Sequence, residues 1–318
     1  MLDQCFTIGG TGVQFITNDE AISRAINRWL KPFTFSGTES LIKIYLFSVG
    51  ESLPLVIPEN AQHIHSGYIS EHFSYQGLWL IDFQGRARWV ADRERKLLLG
   101  FVQSRYLQDK EKPWLLEVLV HPMFELLRKR GLYLIHAGGV GLGEKGVLIA
   151  GEAGSGKTTL VIELVRQRFR FLSDDRCFFH SAGSGFEILS FPEPVRVYSP
   201  NVAELPELQF LRGYEHEEHL KRSFHIEEVY PHCILDRAQL KTVVFPRWGY
   251  HGKSRLEAIS PSEALTEILP LTLEFFFPDT AKAHFQFIGD VVEKIPCFRL
   301  YLGRDRGKWH RIVKELIQ

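Results

Sequence analysis

Short apolar runs separated by turn residues fill the first part of the chain. Phe6-Thr7-Ile8 and Val13-Gln14-Phe15-Ile16 flank Gly9-Gly10-Thr11-Gly12, a pattern that predicts a hairpin. The same glycines make a poor phosphate loop, because Val13-Gln14 stands where a Lys-Thr pair is needed. Asn18 reads as the N-cap of a helix running to Leu30, with Asp19 and Glu20 in its first turn. Leu41 to Val49, Gly77 to Phe83 and Arg88 to Ala91 read as further strands, and Phe83-Gln84-Gly85-Arg86 as a tight turn. Together these predict a small strand-rich α+β domain over residues 1–92. From 93 to 130 two helical patterns are expected, broken near Asp109 to Pro113. In the second, Trp114, Leu115, Val118, Leu119, Phe124, Leu126 and Leu127 form an apolar stripe at helical spacing, which is a core face.

Gly131 closes that helix, and Leu132 to His136 begins a second strand system. An apolar run, Gly146 to Ala150, leads into Gly151-Glu152-Ala153-Gly154-Ser155-Gly156-Lys157-Thr158. A helical pattern from Thr159 to Arg166 follows, then a second apolar run, Phe169 to Leu172, which ends in Ser173-Asp174-Asp175. Farther on, Phe178-Phe179, Phe186 to Phe191, Lys241 to Pro246 and Cys297 to Leu302 are apolar runs. Pro261 opens a helix capped by Ser260, Ala281 to Val292 is helical, and Gly307 to Gln318 is a closing helix. The charged stretch Leu211 to Pro231 reads as solvated loop and helix.

The eight residues from Gly151 to Thr158 match G-x-x-x-x-G-K-[ST] at every fixed position, in a strand–loop–helix context. Glycines let backbone N–H groups turn inward around an anion, in conformations that a side chain blocks. The loop opens into a helix N-terminus, whose unpaired N–H groups and dipole favour phosphate. Lys157 reaches the outer phosphates and the Thr158 hydroxyl ligates Mg²⁺. The expected nucleotide-binding set is therefore Gly151, Ala153, Gly154, Ser155, Gly156, Lys157, Thr158 and Thr159. Asp174 and Asp175 end the next apolar run, seventeen residues after Lys157. Adjacent residues on a strand point to opposite sides, so one acid faces the metal and the other an acceptor. Phe191-Pro192-Glu193-Pro194-Val195-Arg196 is stiff, because each proline fixes its own φ and restricts its predecessor. It aims Arg196, which joins the expected nucleotide-binding set.

Other groupings carry less. His63 and His65 alternate along a strand, and His216 and His219 lie three apart in an acidic stretch, but neither pair has a third ligand at metal spacing. Arg247, His251, Lys253 and Arg255 read as a solvated basic loop, and Ser173 as a nucleophile without a supporting motif.

Composition narrows the classes. The 318 residues suit about two domains. Lys plus Arg equals Asp plus Glu at 38 each, which argues against a nucleic-acid partner. No apolar run approaches the ~18 residues of a membrane span, and Met1-Leu2-Asp3-Gln4-Cys5 lacks a signal-peptide design. Cys5, Cys177, Cys233 and Cys297 form no C-x-x-C pair and read as reduced thiols of a cytoplasmic protein.

His136-Ala137-Gly138-Gly139-Val140, the phosphate loop fifteen residues beyond that histidine, and Ser173-Asp174-Asp175 together resemble the HPr kinase/phosphorylase superfamily. The chain lacks a Glu-Ile-Arg-Gly-Leu-Gly-type signature after the acidic pair. The resemblance is therefore to divergent HPr-kinase-like proteins, some of which phosphorylate peptides in ribosomal-peptide pathways. It implies an α/β fold: a phosphoenolpyruvate-carboxykinase-like P-loop core of mixed sheet and helices over residues 93–318. It also implies ATP and Mg²⁺, and transfer of the γ-phosphate to a hydroxyl, typically serine, of a peptide or small protein. In those terms Asp174 is the general base, Asp175 and Thr158 bind Mg²⁺, Lys157 holds the β- and γ-phosphates, and His136 lies by the transferred group. A free small-molecule acceptor and a non-catalytic nucleotide switch remain open on the residues alone, and a homo-oligomer is compatible with each.

Overall fold

The computed structural model describes residues 1–37, 41–107, 114–191, 193–198, 205–211, 221–249, 252–272 and 275–318. The chain divides into two units, Met1–Leu132 with Phe275–Ala281, and Tyr133–Glu274 with Lys282–Gln318. No helix among the described residues is long and apolar enough to cross a membrane.

The first unit is built on eight strands: β1 (Leu2–Ile8), β2 (Thr11–Thr17), β3 (Leu41–Val49), β4 (Gln62–Ser66), β5 (Glu71–Tyr75), β6 (Leu78–Phe83), β7 (Ala87–Asp92) and β8 (Leu97–Gln103). They lie in the order β1-β2-β3-β8-β7-β6-β5-β4. The β1–β2 hairpin closes through Gly9 and Gly10 alone, at φ 52° and 79°, the left-handed pair that a two-residue turn requires. Helix α1 (Glu20–Leu30) is capped by Asp19, not Asn18: Asp19 Oδ1 accepts from Ala21 N at 2.8 Å and Ile22 N at 3.1 Å. Asn18 pairs instead with the Ser48 backbone, accepting from its N and donating to its O.

The first of the two helical patterns expected after residue 93 is strand β8. A continuous apolar run such as Leu97-Leu98-Leu99 has no period of its own, and the sheet decides it. β8 runs parallel to β3 and antiparallel to β7. Gly100 sits opposite Trp89, and a Cβ there would lie 2.6 Å from the indole. The sheet therefore passes through the domain boundary expected at 92/93, and the first unit continues through helix α2 (Trp114–Arg128) to Leu132. The expected break at Asp109 to Pro113 lies outside the described residues. Phe275–Ala281 joins this unit through Thr280, whose hydroxyl donates to Glu125 Oε1 at 2.7 Å, and through Asp279, which takes Arg93 at 3.0 Å.

The second unit carries β9 (Tyr133–Ile135), β10 (Ala137–Leu142), β11 (Lys145–Ala150), β12 (Arg170–Ser173), β13 (Cys177–Ala182), β14 (Gly185–Leu189), β15 (Val195–Tyr198), β16 (Lys221–Phe224), β17 (Arg237–Arg247), β18 (Arg255–Ile259) and β19 (Cys297–Tyr301). Its helices are α3 (Lys157–Arg166), α4 (Ile226–Val229), α5 (Pro261–Ile268), α6 (Pro278–Lys294), which begins in the first unit, and α7 (Trp309–Glu315). The large mixed sheet has the order β12-β10-β11-β17-β14-β13-β9, with β19 on β17 and β18 on β19. β10 is antiparallel to both β11 and β12, so β11 and β12 run the same way; β17 is parallel to β11, and β19 to β17. The C-terminal ends of β12, β11, β17 and β19 thus share one edge. β11 is apolar on both faces. Val147 and Ile149 pack with Leu160 and Leu164 of α3, while Leu148 and Ala150 pack with Leu172, Phe179 and Ile288 on the other side.

Ser260 caps α5 with a full capping box, as the pattern implies. Of the charged stretch read as solvated loop and helix, residues 212–220 lie outside the described residues; Lys221–Phe224 is a strand paired with β15, and a helix follows as the one-turn α4. His216, His219 and His251 lie outside the described residues.

Two outcomes follow from packing. A Cβ on Gly138 of β10 would lie 2.7 Å from Val161 Cγ2 of α3. Gly138→Ala is expected to lower the denaturant midpoint, with a loss of about 1–3 kcal/mol. Gly289, inside α6, has nothing within 4 Å of its Cβ position, so Gly289→Ala is expected to raise stability by about 0.5–1 kcal/mol. The third outcome concerns His72, fully buried in the first unit against Phe276 at 4.2 Å between ring centres. The Trp79 indole N–H can only donate, so His72 Nδ1 accepts it at 3.2 Å, and Nε2 carries the proton towards Ser70 Oγ at 2.8 Å. Burial, and secondarily the nearby His121, His65 and His63, push its pKa down from 6.5 to about 3. A histidine depressed in the fold binds fewer protons folded than unfolded, so stability falls as pH drops below 6.5. His72→Gln is expected to remove about 2 kcal/mol of the stability lost between pH 6.5 and about pH 5, read by urea unfolding at each pH.

Candidate active site

The site assembles on the shared edge of the second sheet. β11 ends at Ala150 and the glycine loop turns the chain into α3. Gly154 and Gly156 hold φ of 83° and 100°, left-handed values that favour glycine. A Cβ on Gly151 would meet Ser155 Oγ at 2.7 Å, and one on Gly156 would meet Leu302 Cδ1 at 2.8 Å and Trp248 Cε3 at 3.3 Å. No side chain caps α3: its N-cap is Gly156. The first-turn N–H groups and the positive end of the helix dipole are thus left for an anion. Lys157 is buried at the mouth of this loop, where its ammonium donates to Gly151 O and to Glu152 O.

β12 delivers the acids to the same edge. Asp174 is 6% exposed, and its Oδ2 accepts from Thr158 Oγ1 at 3.0 Å. Asp175 turns the other way and lies 3.1 Å from His136 Nδ1, with both side chains about one-third exposed. Both acids stand in the bend just after β12, and they meet different partners. The partners, however, differ from the sequence assignment: the acid beside the metal-ligand candidate Thr158 is Asp174, and the acid beside the histidine is Asp175. Two neighbouring carboxylates are equivalent in sequence; the twist of β12 against α3 distinguishes them.

His136 stands between β9 and β10, where its N–H donates to Leu271 O at 2.8 Å. Ala137 pairs with Ala150, which puts His136 at the loop's edge of the sheet. Burial lowers the His136 pKa from its ordinary 6.5; Lys157 and Arg176 act the same way, and Asp175 opposes them. The lowered pKa keeps the imidazole neutral at neutral pH, with Nδ1 in contact with the Asp175 carboxylate. Ser173, weighed as a nucleophile, spends its hydroxyl on the turn after β12, donating to Arg176 O and accepting from Arg176 N.

His136, Lys157, Thr158, Asp174 and Asp175 thus come together around the loop formed by Gly151, Ala153, Gly154, Ser155 and Gly156, with Thr159 following in the first turn of α3. Arg196 does not join them. Val195 and Val197 of β15 are buried with α3, which turns the intervening Arg196 to the opposite side of the strand. Beyond the β15–β16 ladder, its side chain makes no hydrogen bond or ion pair among the described residues. The basic loop is partly paired, Arg247 with Glu267 at 2.6 Å and Arg255 with Glu257 at 3.1 Å. His63 is taken by Glu71 at 2.7 Å. Two residues that the sequence reading passed over, Trp248 and Leu302, press on Gly156. Their signal was position alone, just beyond the ends of the parallel strands β17 and β19, where ligands of such sheets gather.

The donor set suits a hard cation. The Thr158 hydroxyl and the Asp174 carboxylate are oxygen ligands side by side, and Mg²⁺ takes one or two protein carboxylates and completes its shell with water and phosphate. Among the described residues no group of three or more His, Cys, Asp and Glu is placed to hold a metal by itself.

No family model matches this chain, and no curated protein matches it. Among solved structures it is similar to the Hpr(Ser) kinase/phosphatase from Coxiella burnetii, at 12% identity and a TM-score of 0.30, over 57% of this chain and 92% of that one.

Proposed function

We propose that the second unit is an ATP-dependent kinase that passes the γ-phosphoryl group to a hydroxyl, a serine in a peptide or small protein. The observation that carries this reading is the convergence of two pairs, Thr158–Asp174 and His136–Asp175, on one phosphate loop at one sheet edge. A nucleotide switch needs the first pair only; the second pair is what proton transfer needs. The serine acceptor rests on the resemblance of the His136 segment, the loop and the acidic pair.

The loop amides and Lys157 would hold the β- and γ-phosphates, and Lys157 is held at the loop mouth by two carbonyls for that task. Thr158 and Asp174 would hold Mg²⁺, which would neutralise charge on the phosphates. Asp175 takes the proton of the acceptor hydroxyl while that oxygen bonds to phosphorus and the bond from phosphorus to the bridging oxygen breaks. His136, neutral, would lie against Asp175, its Nδ1 3.1 Å from Oδ1, and position that carboxylate for the acceptor. The base and metal roles suggested by sequence for Asp174 and Asp175 are thereby exchanged.

Incubation with MgATP and a panel of serine peptides, small proteins and free hydroxy compounds is expected to yield a phosphorylated serine peptide or protein. Lys157→Ala is expected to abolish ATP binding. Asp175→Asn is expected to lower kcat by about 10²- to 10⁴-fold while MgATP binding persists, and Asp174→Asn to raise the Mg²⁺ concentration required. Wild-type turnover by Asp175→Asn would refute the base assignment. Because the His136 pKa is lowered from 6.5, the neutral imidazole persists to lower pH than an ordinary histidine. The acid limb of kcat/KM is therefore expected below pH 6.5, and a limb above it that vanishes in His136→Gln would contradict this environment.

A further inference from the structure

The sheet edge has two flanks. The acids stand on the β12–β10 side of the loop, and the ends of β17 and β19 stand on the other. A triphosphate whose terminal phosphorus faces Asp175 must run its nucleoside away from the acids, past Gly156, towards the residues after β17 and β19. Trp248 is there. It follows β17 directly, it approaches the Cβ position of Gly156 at 3.3 Å, and its indole is 46% exposed.

The ring is also held. It meets the fully buried Trp309 in a T-shaped contact, 6.1 Å between centroids and 82° between planes. Trp309 Nε1 donates to Ser254 Oγ at 3.0 Å, and Ser254 is in turn tied to Asp305 Oδ1 through N at 2.8 Å and Oγ at 2.6 Å. The Arg306 guanidinium lies 5.4 Å from the Trp248 ring centre and 5.6 Å from that of Trp309, within cation–π reach of both indoles. A large aromatic ring nearly half exposed and packed against a buried neighbour, beside the glycine loop, has the form of a stacking platform.

We propose that the exposed face of Trp248 is the nucleobase subsite of this chain, with Arg306 and Trp309 fixing the ring. This rests on the phosphate-loop reading above. Stacking reads a π-face and not a hydrogen-bond pattern, so the subsite takes purine nucleoside triphosphates in general and favours them over pyrimidine ones through the larger ring.

Calorimetric titration of the full chain with MgATP and with magnesium tripolyphosphate, which has the phosphates without the base, tests it. Trp248→Ala is expected to weaken MgATP by roughly 5- to 150-fold and to leave tripolyphosphate unchanged, while Trp248→Phe keeps MgATP within a few-fold of wild type. If Trp248→Ala binds MgATP like wild type, the subsite is refuted and the loop reading stands. If Trp248→Ala weakens both ligands equally, the ring only shapes the loop through Gly156, and the subsite is again refuted. If the wild-type chain binds neither ligand, the loop reading itself fails and the subsite falls with it.

Discussion

Thr158 opens a helix and Asp174 ends a strand, and β10 lies between β12, which carries the acid, and β11, which feeds the helix. Their 3.0 Å hydrogen bond exists only because α3 lies down close on β10. That closeness depends on Gly138, whose missing Cβ leaves room for Val161. A larger residue there would lift the helix start away from the acids. The bare glycine loop, the uncapped helix end and the buried lysine would then have no carboxylate beside them. The small residues of His136-Ala137-Gly138-Gly139-Val140 are therefore packing requirements of the site as much as backbone ones.

Charge at this edge is kept in balance by burial. Lys157 is desolvated but bonded to two loop carbonyls, and Asp174 accepts from the Thr158 hydroxyl. His136 is held neutral mainly by its loss of water, and its Nδ1 lies 3.1 Å from the Asp175 carboxylate, so the two side chains fix each other's position.

Several elements were legible in the chain because one local force decided each. The Gly9-Gly10 and Gln84-Gly85 turns follow from the need for positive φ. The Ser260 cap follows from a hydroxyl three residues before a glutamate. Strand β3 follows from apolar alternation bounded by turn residues. Where two readings were locally equal, sequence reasoning went astray. Leu97 to Val102 is apolar at every position but Gly100, and only pairing between β3 and β7 makes it a strand and carries the first unit past residue 92. Lys221–Phe224 is charged enough for a solvated helix, yet β15 pairs with it. Arg196 follows a stiff segment, but its direction is set by Val195 and Val197, which turn inward to α3.

From the order of its residues alone, this chain determined a glycine-rich turn between a strand and a helix, and two acids at the end of the next strand. Both follow from backbone freedom and strand period, which are local properties. Which acid meets the helix hydroxyl and which meets the histidine, and that an indole from a distant strand rests on Gly156, were decided only by tertiary structure. These depend on the twist and order of strands, the farthest of them β11 and β17, paired from Lys145 to Gln239, and no local pattern carries that information.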